Sequence, residues 1–231
     1  MKHLHLIMAL AIVILAADTL RADSKPDWIN HSRYAASNTE IIASQKRPVA
    51  VFMGNSITDF WYRDSPEFFE SNNYVCRGIS GQVTTQMLAR FRSDVIELKP
   101  DVAVILAGVN DIAGNNGAIE LRHIVDNIAS MADLARRHGI VPIICSVLPA
   151  DRFAWNPAIH NAPQLIDQLN TMLNEYCVRN NIEFVDYYSS MVTSGGALNP
   201  AYAVDPVHPS VEGYKVMEPI ISTAIRRVIK Q

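Results

Sequence analysis

Apolar and polar positions fall into alternating blocks along this chain. From about residue 48, short runs rich in apolar and β-branched residues recur: PVAVFM (48–53), YVCRGI (74–79), DVAVILAG (101–108), IVPIICSVL (140–148) and IEFVDY (182–187). Most show no period-two alternation, the pattern of strands buried on both faces. The segments between them carry a helical period. Leu121, Ile124, Val125, Ile128, Met131, Leu134 and Ala135 share one face, closed by His138-Gly139, a basic last turn followed by glycine. Leu165, Ile166, Leu169, Met172, Leu173, Tyr176 and Cys177 form another face, opened by Pro163. A last helix is predicted over 210–229, bent near Pro219. Strands of this kind joined by helices of crossover length predict an α/β fold: a parallel sheet covered on both sides, with right-handed connections. Ligands of such sheets bind outside the carboxyl ends of the strands. The loops after the strands are therefore where chemistry is expected.

The beginning of the chain differs in kind. MKHLH is short and basic, and the uncharged apolar run at 6–17 is short for a membrane span. It suits the apolar region of a signal peptide. Residues 1–22 are thus predicted as a leader, cleaved after Ala17 or Ala22, with one domain over 23–231. No cysteine follows the run, which argues against a lipid-anchored N-terminus. An uncleaved anchor is the alternative. The leader implies export to the periplasm or outside, without stable membrane insertion after cleavage.

Composition narrows the partners. The net charge is −3 and no Lys/Arg run is present, which argues against nucleic acid. Cys76, Cys145 and Cys177 are an odd set; they read as small buried apolar residues rather than a disulfide framework. No metal-ligand cluster is visible in the sequence, and no metal or cofactor is expected.

Four loops carry candidate chemistry: Gly54-Asn55-Ser56, Gly78-Ile79-Ser80-Gly81-Gln82, Gly108-Val109-Asn110-Asp111 and Asp205-Pro206-Val207-His208. Ser56 sits where a helix should begin, so it is either a helix cap or a nucleophile beside free N–H groups. A serine nucleophile needs a base. His208 is the candidate, with Asp205 placed to accept its Nδ1–H; His160, in a loop, is the rival histidine. An acyl transfer also needs donors for an oxyanion. The Ser56 N–H, the Gly81 N–H and the Asn110 amide are candidates, although a turn glycine and a capping Asn would look the same.

Together these blocks resemble the SGNH (GDSL-like) hydrolase family, with Ser56 in GNSIT, Gly81 in RGISGQ, Asn110 in GVND and His208 in DPVH. The resemblance runs over about 48–215. It implies a three-layer α/β/α sandwich with a five-stranded parallel, flavodoxin-like sheet. It also implies Ser56 as nucleophile, His208 as general base and then acid, and Asp205 as the residue that orients it. Ser56 N–H, Gly81 N–H and Asn110 would form the oxyanion hole. One departure is GNS where the family usually has GDS; the change should alter turn bonding more than chemistry. Asp111 is expected to hold its loop rather than react.

The implied reaction is ester hydrolysis through an acyl-enzyme. The family's exported bacterial members suggest short acyl groups, acetyl above all, on carbohydrates. A lysophospholipase or platelet-activating-factor-acetylhydrolase-like lipid esterase is the alternative. A non-catalytic carbohydrate-binding module is the alternative of another class. Specificity is expected from the loops at 112–118, 149–162 and 187–204. Phe153 and Trp155 are candidate substrate contacts, by stacking on a sugar or lining an acyl pocket. Phe60 and Trp61 are expected in the core.

Overall fold

The structure is a computed structural model and describes residues 27–230. The predicted leader at 1–22 lies outside the described residues. Five parallel strands form one sheet: β1 (Ala50–Gly54), β2 (Tyr74–Gly78), β3 (Val102–Leu106), β4 (Val141–Cys145) and β5 (Glu183–Val185). Their order is β2-β1-β3-β4-β5, the flavodoxin-like order. Among the described residues there are nine helices: α1 (Ala35–Ser44), α2 (Ser56–Asp64), α3 (Pro66–Ser71), α4 (Thr84–Asp94), α5 (Val109–Ile112), α6 (Leu121–Arg137), α7 (Ala162–Asn180), α8 (Tyr188–Met191) and α9 (Val211–Ile229). Helices α4, α6 and α7 pack side by side, with α1 against α4; α2, α3 and α9 pack together apart from them. The result is the expected α/β/α sandwich. No described helix is long and apolar enough to cross a membrane.

The strands are shorter than the apolar runs that predict them. The run at 140–148 continues buried through Val147 and Leu148, but the ladder stops at Cys145. A side chain replaces it: Asn170 of α7 accepts from Val147 N–H (2.7 Å) and donates to Val147 O (3.0 Å). Past β5, Tyr187 and Tyr188 N–H both donate to Ser146 Oγ. Burial thus outlasts hydrogen-bonded pairing, because side-chain oxygens and amides satisfy the buried backbone. Helix α9 runs from Val211 to Ile229 with Pro219 inside it.

The chain leaves β1 toward β2 on one side and later returns to place β3 on the other. The reversal puts the topological switch point between the carboxyl ends of β1 and β3. Ser56 follows β1 and Asn110 follows β3, so the two flank that crevice. The aromatic core fixes the nearby helices. Trp61 of α2 is buried and stacks on Tyr214 of α9, with ring centroids 5.5 Å apart. Tyr214 Oη then donates to Ile57 O (2.8 Å), one residue from Ser56.

Candidate active site

The first turn of α2 settles what the Gly54-Asn55-Ser56 stretch does. Asn55 is the N-cap, and its Oδ1 accepts from Ile57 N–H at 3.0 Å. Ser56 is the first helical residue, so its hydroxyl is not spent on capping. Its N–H has no carbonyl one turn earlier. This turn sits hard against the sheet. A Cβ on Gly78 would lie 2.3 Å from Asp59 N, so only glycine lets β2 approach the helix start this closely.

Ser56 Oγ stands 2.8 Å from His208 Nε2. On the other side of the ring, His208 Nδ1 lies 2.8 Å from Asp205 Oδ2. A carboxylate only accepts, so the Nδ1 carries the hydrogen and Nε2 is left to accept from the Ser56 hydroxyl. The Asp205–His208 segment is a tight turn. Asp205 Oδ1 takes N–H bonds from Val207 (2.8 Å) and His208 (2.9 Å), and Val204 N–H closes the turn on His208 O. Burial pushes the Asp205 carboxyl up, but these bonds and the imidazole outweigh it and hold the group below the ordinary carboxylate value. The carboxylate therefore stays ionised where an imidazolium would form beside it. This arrangement can remove a proton from Ser56 and steady the resulting cation.

Asn110 is buried in α5 and donates one Nδ2–H to Gln82 O at 2.9 Å. Its second Nδ2–H is available to another acceptor. Gly81 has φ +80°, and nothing lies within 4 Å of where its Cβ would be. The glycine is required by the backbone conformation, and the space beside it is open. Asn115 Nδ2 donates to Gly81 O (3.1 Å). Ile79 N–H to Gly54 O and Ser80 Oγ to Asp59 Oδ2 join the Gly81 turn to the Ser56 turn. Asp111 binds Thr84 at the start of α4, through Thr84 N–H and Oγ1 (2.6 Å). Burial raises its carboxyl to about 6.

One expectation needs correction. Phe153 is 1% exposed, so it packs behind Trp155 (centroids 5.5 Å apart) and offers no free face to a ligand. The loop needs an apolar anchor more than a second exposed ring. Trp155 is 49% exposed and its Nε1–H donates to Asn115 Oδ1 at 2.7 Å. Phe60 is half-buried and packs against the core, as expected, and its ring also lies 5.1 Å from the His208 ring, because α2 carries it one turn past Ser56 toward the histidine. Trp61 is core, as expected. His160 is exposed and outside the Ser56–His208–Asp205 chain. The three cysteines are free and buried; burial pushes Cys76 up to about 11 and Cys177 up to about 12. Asn115 gave no signal of its own in the sequence, and neither Gln82 nor Phe60 stood out there as a site residue, since each gains its role from a partner elsewhere in the chain.

The family model of the GDSL-like Lipase/Acylhydrolase family matches residues 52–216, from the middle of β1 into α9. The chain belongs to this family of ester hydrolases. A crystal structure of a Bacteroides fragilis protein, provisionally assigned as an acylhydrolase, is 50% identical with a TM-score of 0.85. The match covers 88% of this chain and 99% of that one. A GDSL-like lipase from Bacteroides thetaiotaomicron is 47% identical with a TM-score of 0.83, over 87% and 100% of the two chains. This chain is also 32% identical over 75 residues to the uncharacterised lipoprotein YqeF of Bacillus subtilis. That match spans 31% of this chain and 31% of the relative's length.

Proposed function

We propose that this chain is a serine esterase that removes short acyl groups, acetyl above all, from carbohydrates through an acyl-enzyme. The observation that carries the reading is the Asp205–His208–Ser56 chain of 2.8 Å contacts at the carboxyl end of β1. Ser56 Oγ attacks the ester carbonyl while His208 Nε2 takes its proton. Ser56 N–H, Gly81 N–H and the second Asn110 N–H receive the oxyanion. His208 then gives its proton to the leaving alcohol, and water repeats the cycle on the acyl-Ser56. Asp205 holds the imidazole tautomer throughout.

The carbohydrate part of the reading draws support from the exposed Trp155 ring, pinned by Asn115 to the Gly81 turn. An exposed, immobilised aromatic face suits a pyranose ring. The apolar start of the chain, with a relative named as a lipoprotein, supports export.

The test is hydrolysis of p-nitrophenyl acetate, butyrate and octanoate by protein lacking residues 1–22, beside Ser56→Ala. Serine-dependent turnover that falls with chain length is expected, followed by acetate release from acetylated oligosaccharides. A preference for octanoate would replace the acetyl reading with that of a lipid esterase. Glycan binding with no turnover above Ser56→Ala would replace it with a binding module.

A further inference from the structure

The chemistry above leaves one fully buried cation without a role. Arg90 of α4 is 0% exposed. Its guanidinium reaches four acceptors. Nε donates to Gln82 Oε1 (2.6 Å), Nη1 to Asp94 Oδ2 (2.8 Å), and Nη2 to both Gly54 O (3.1 Å) and Arg77 O (2.8 Å). Gly54 ends β1, directly before Asn55-Ser56. Arg77 is the last residue but one of β2, just before the Gly81 turn. Gln82 follows Gly81, and its carbonyl holds Asn110 Nδ2. One planar cation therefore touches the Ser56 turn, the Gly81 turn and, through Gln82, Asn110.

The carboxylate partner is itself fixed. Asn38 Nδ2 donates to Asp94 Oδ1 (2.7 Å), and Arg77 Nε and Nη2 donate to Asn38 Oδ1. A buried ion pair is a poor source of stability, because desolvation consumes most of what attraction returns. An apolar side chain of similar volume would fill the space. It could not hold two strand-end carbonyls and a loop amide at fixed angles, which a rigid five-donor fork can.

We infer that Arg90 is a positioning residue that sets the spacing of the Ser56, Gly81 and Asn110 donors around the substrate's carbonyl oxygen. The inference rests on the acyl-transfer reading above. Oxyanion donors act only when they meet the position the oxyanion will occupy, and small displacements are costly in rate. Loss of the clamp should therefore lower kcat and leave KM nearly alone.

The experiment compares wild type, Ser56→Ala, Arg90→Lys and Gln82→Met. Steady-state kinetics with p-nitrophenyl acetate are combined with amide hydrogen exchange. Expected is a fall in kcat of roughly 10–100-fold with KM within about twofold. Exchange should quicken at 54–57 and 79–83 while α6 and α7 keep their protection. If Arg90→Lys does not fold, Gln82→Met decides, since it removes the side-chain link and keeps the ion pair with Asp94. Variants that keep wild-type kcat, or lose kcat and KM without local change in exchange, overturn the positioning role. Wild type without turnover above Ser56→Ala overturns the esterase reading instead, and the inference falls with it.

Discussion

His208 Nε2 lies 2.8 Å from Ser56 Oγ, although 152 positions separate the two residues. The contact depends on α9 being held against α2, which the Trp61–Tyr214 stack and the Tyr214–Ile57 bond accomplish. If this pair performs acyl transfer, Ser56→Ala and His208→Ala should each lower kcat by on the order of 10⁶-fold. Asp205→Asn should cost about 10⁴-fold or less, because the wrong tautomer is then favoured. Stopped-time assays with a p-nitrophenyl ester resolve this range. Retention of a tenth of the rate by His208→Ala would rule out its role as base.

Asn110→Ala should reduce kcat by roughly 10²–10³-fold, the usual cost of one oxyanion donor. The same substitution frees Gln82 O inside the protein, so some loss of Tm is expected as well. Asn110→Asp keeps the side-chain shape and replaces the donor with an acceptor. If Asn110→Asp matched wild type in kcat, the amide would not be contacting the oxyanion.

Trp155 and Phe153 should separate cleanly. Trp155→Ala removes an exposed ring and should raise KM for an acetylated oligosaccharide about fivefold, from a stacking contribution of about 1 kcal/mol. KM for p-nitrophenyl acetate should hardly move. Phe153→Ala opens a cavity in a fully buried position and should cost about 3–5 kcal/mol of stability. Denaturant melts beside the two KM values make the comparison. Equal KM changes on both substrates would deny Trp155 a sugar-binding role.

Asp111 gives a pH dependence with a definite sign. Its carboxyl is raised to about 6 by burial, from an ordinary 3.8. A raised acid binds its proton more tightly in the fold than in the unfolded chain. Its contribution is thus fully present below the unfolded value and is lost as pH rises through about 6. The size is on the order of 2–3 kcal/mol between those limits. Asp111→Asn should flatten the slope of unfolding free energy between pH 4 and pH 6, as read from urea melts at about five pH values. An unchanged slope would place the titrating group elsewhere.

Asn55 should prove to be a cap and not a reactive group. Asn55→Ala removes the bond to Ile57 N–H and should cost about 1 kcal/mol. Asn55→Asp keeps an acceptor there and removes the Nδ2, which is buried without a partner. Its Tm at neutral pH should equal or exceed that of wild type. A large fall in Tm for Asn55→Asp would show that the amide is needed as a donor.

Much of this protein is legible in one dimension. The five apolar runs and the helical faces at 121–135 and 165–177 determine a covered parallel sheet, since burial on both faces leaves no alternation to read. The turn residues Ser56, Gly81, Asn110, Asp205 and His208 stand directly after such runs, or in one short Asp-Pro-Val-His turn, so local sequence already proposes them. What the sequence could not decide was anything that needs two distant segments at once. Whether Asn55 or Ser56 caps α2, whether Phe153 faces in or out, and whether Phe60 meets His208 all depend on which side of an element its neighbours cover. The buried Arg90 fork, joining Gly54, Arg77, Gln82 and Asp94, is the plainest case. A helical arginine reads as a surface residue until tertiary packing removes its water, and its donors must then find carbonyls that only the folded sheet brings together.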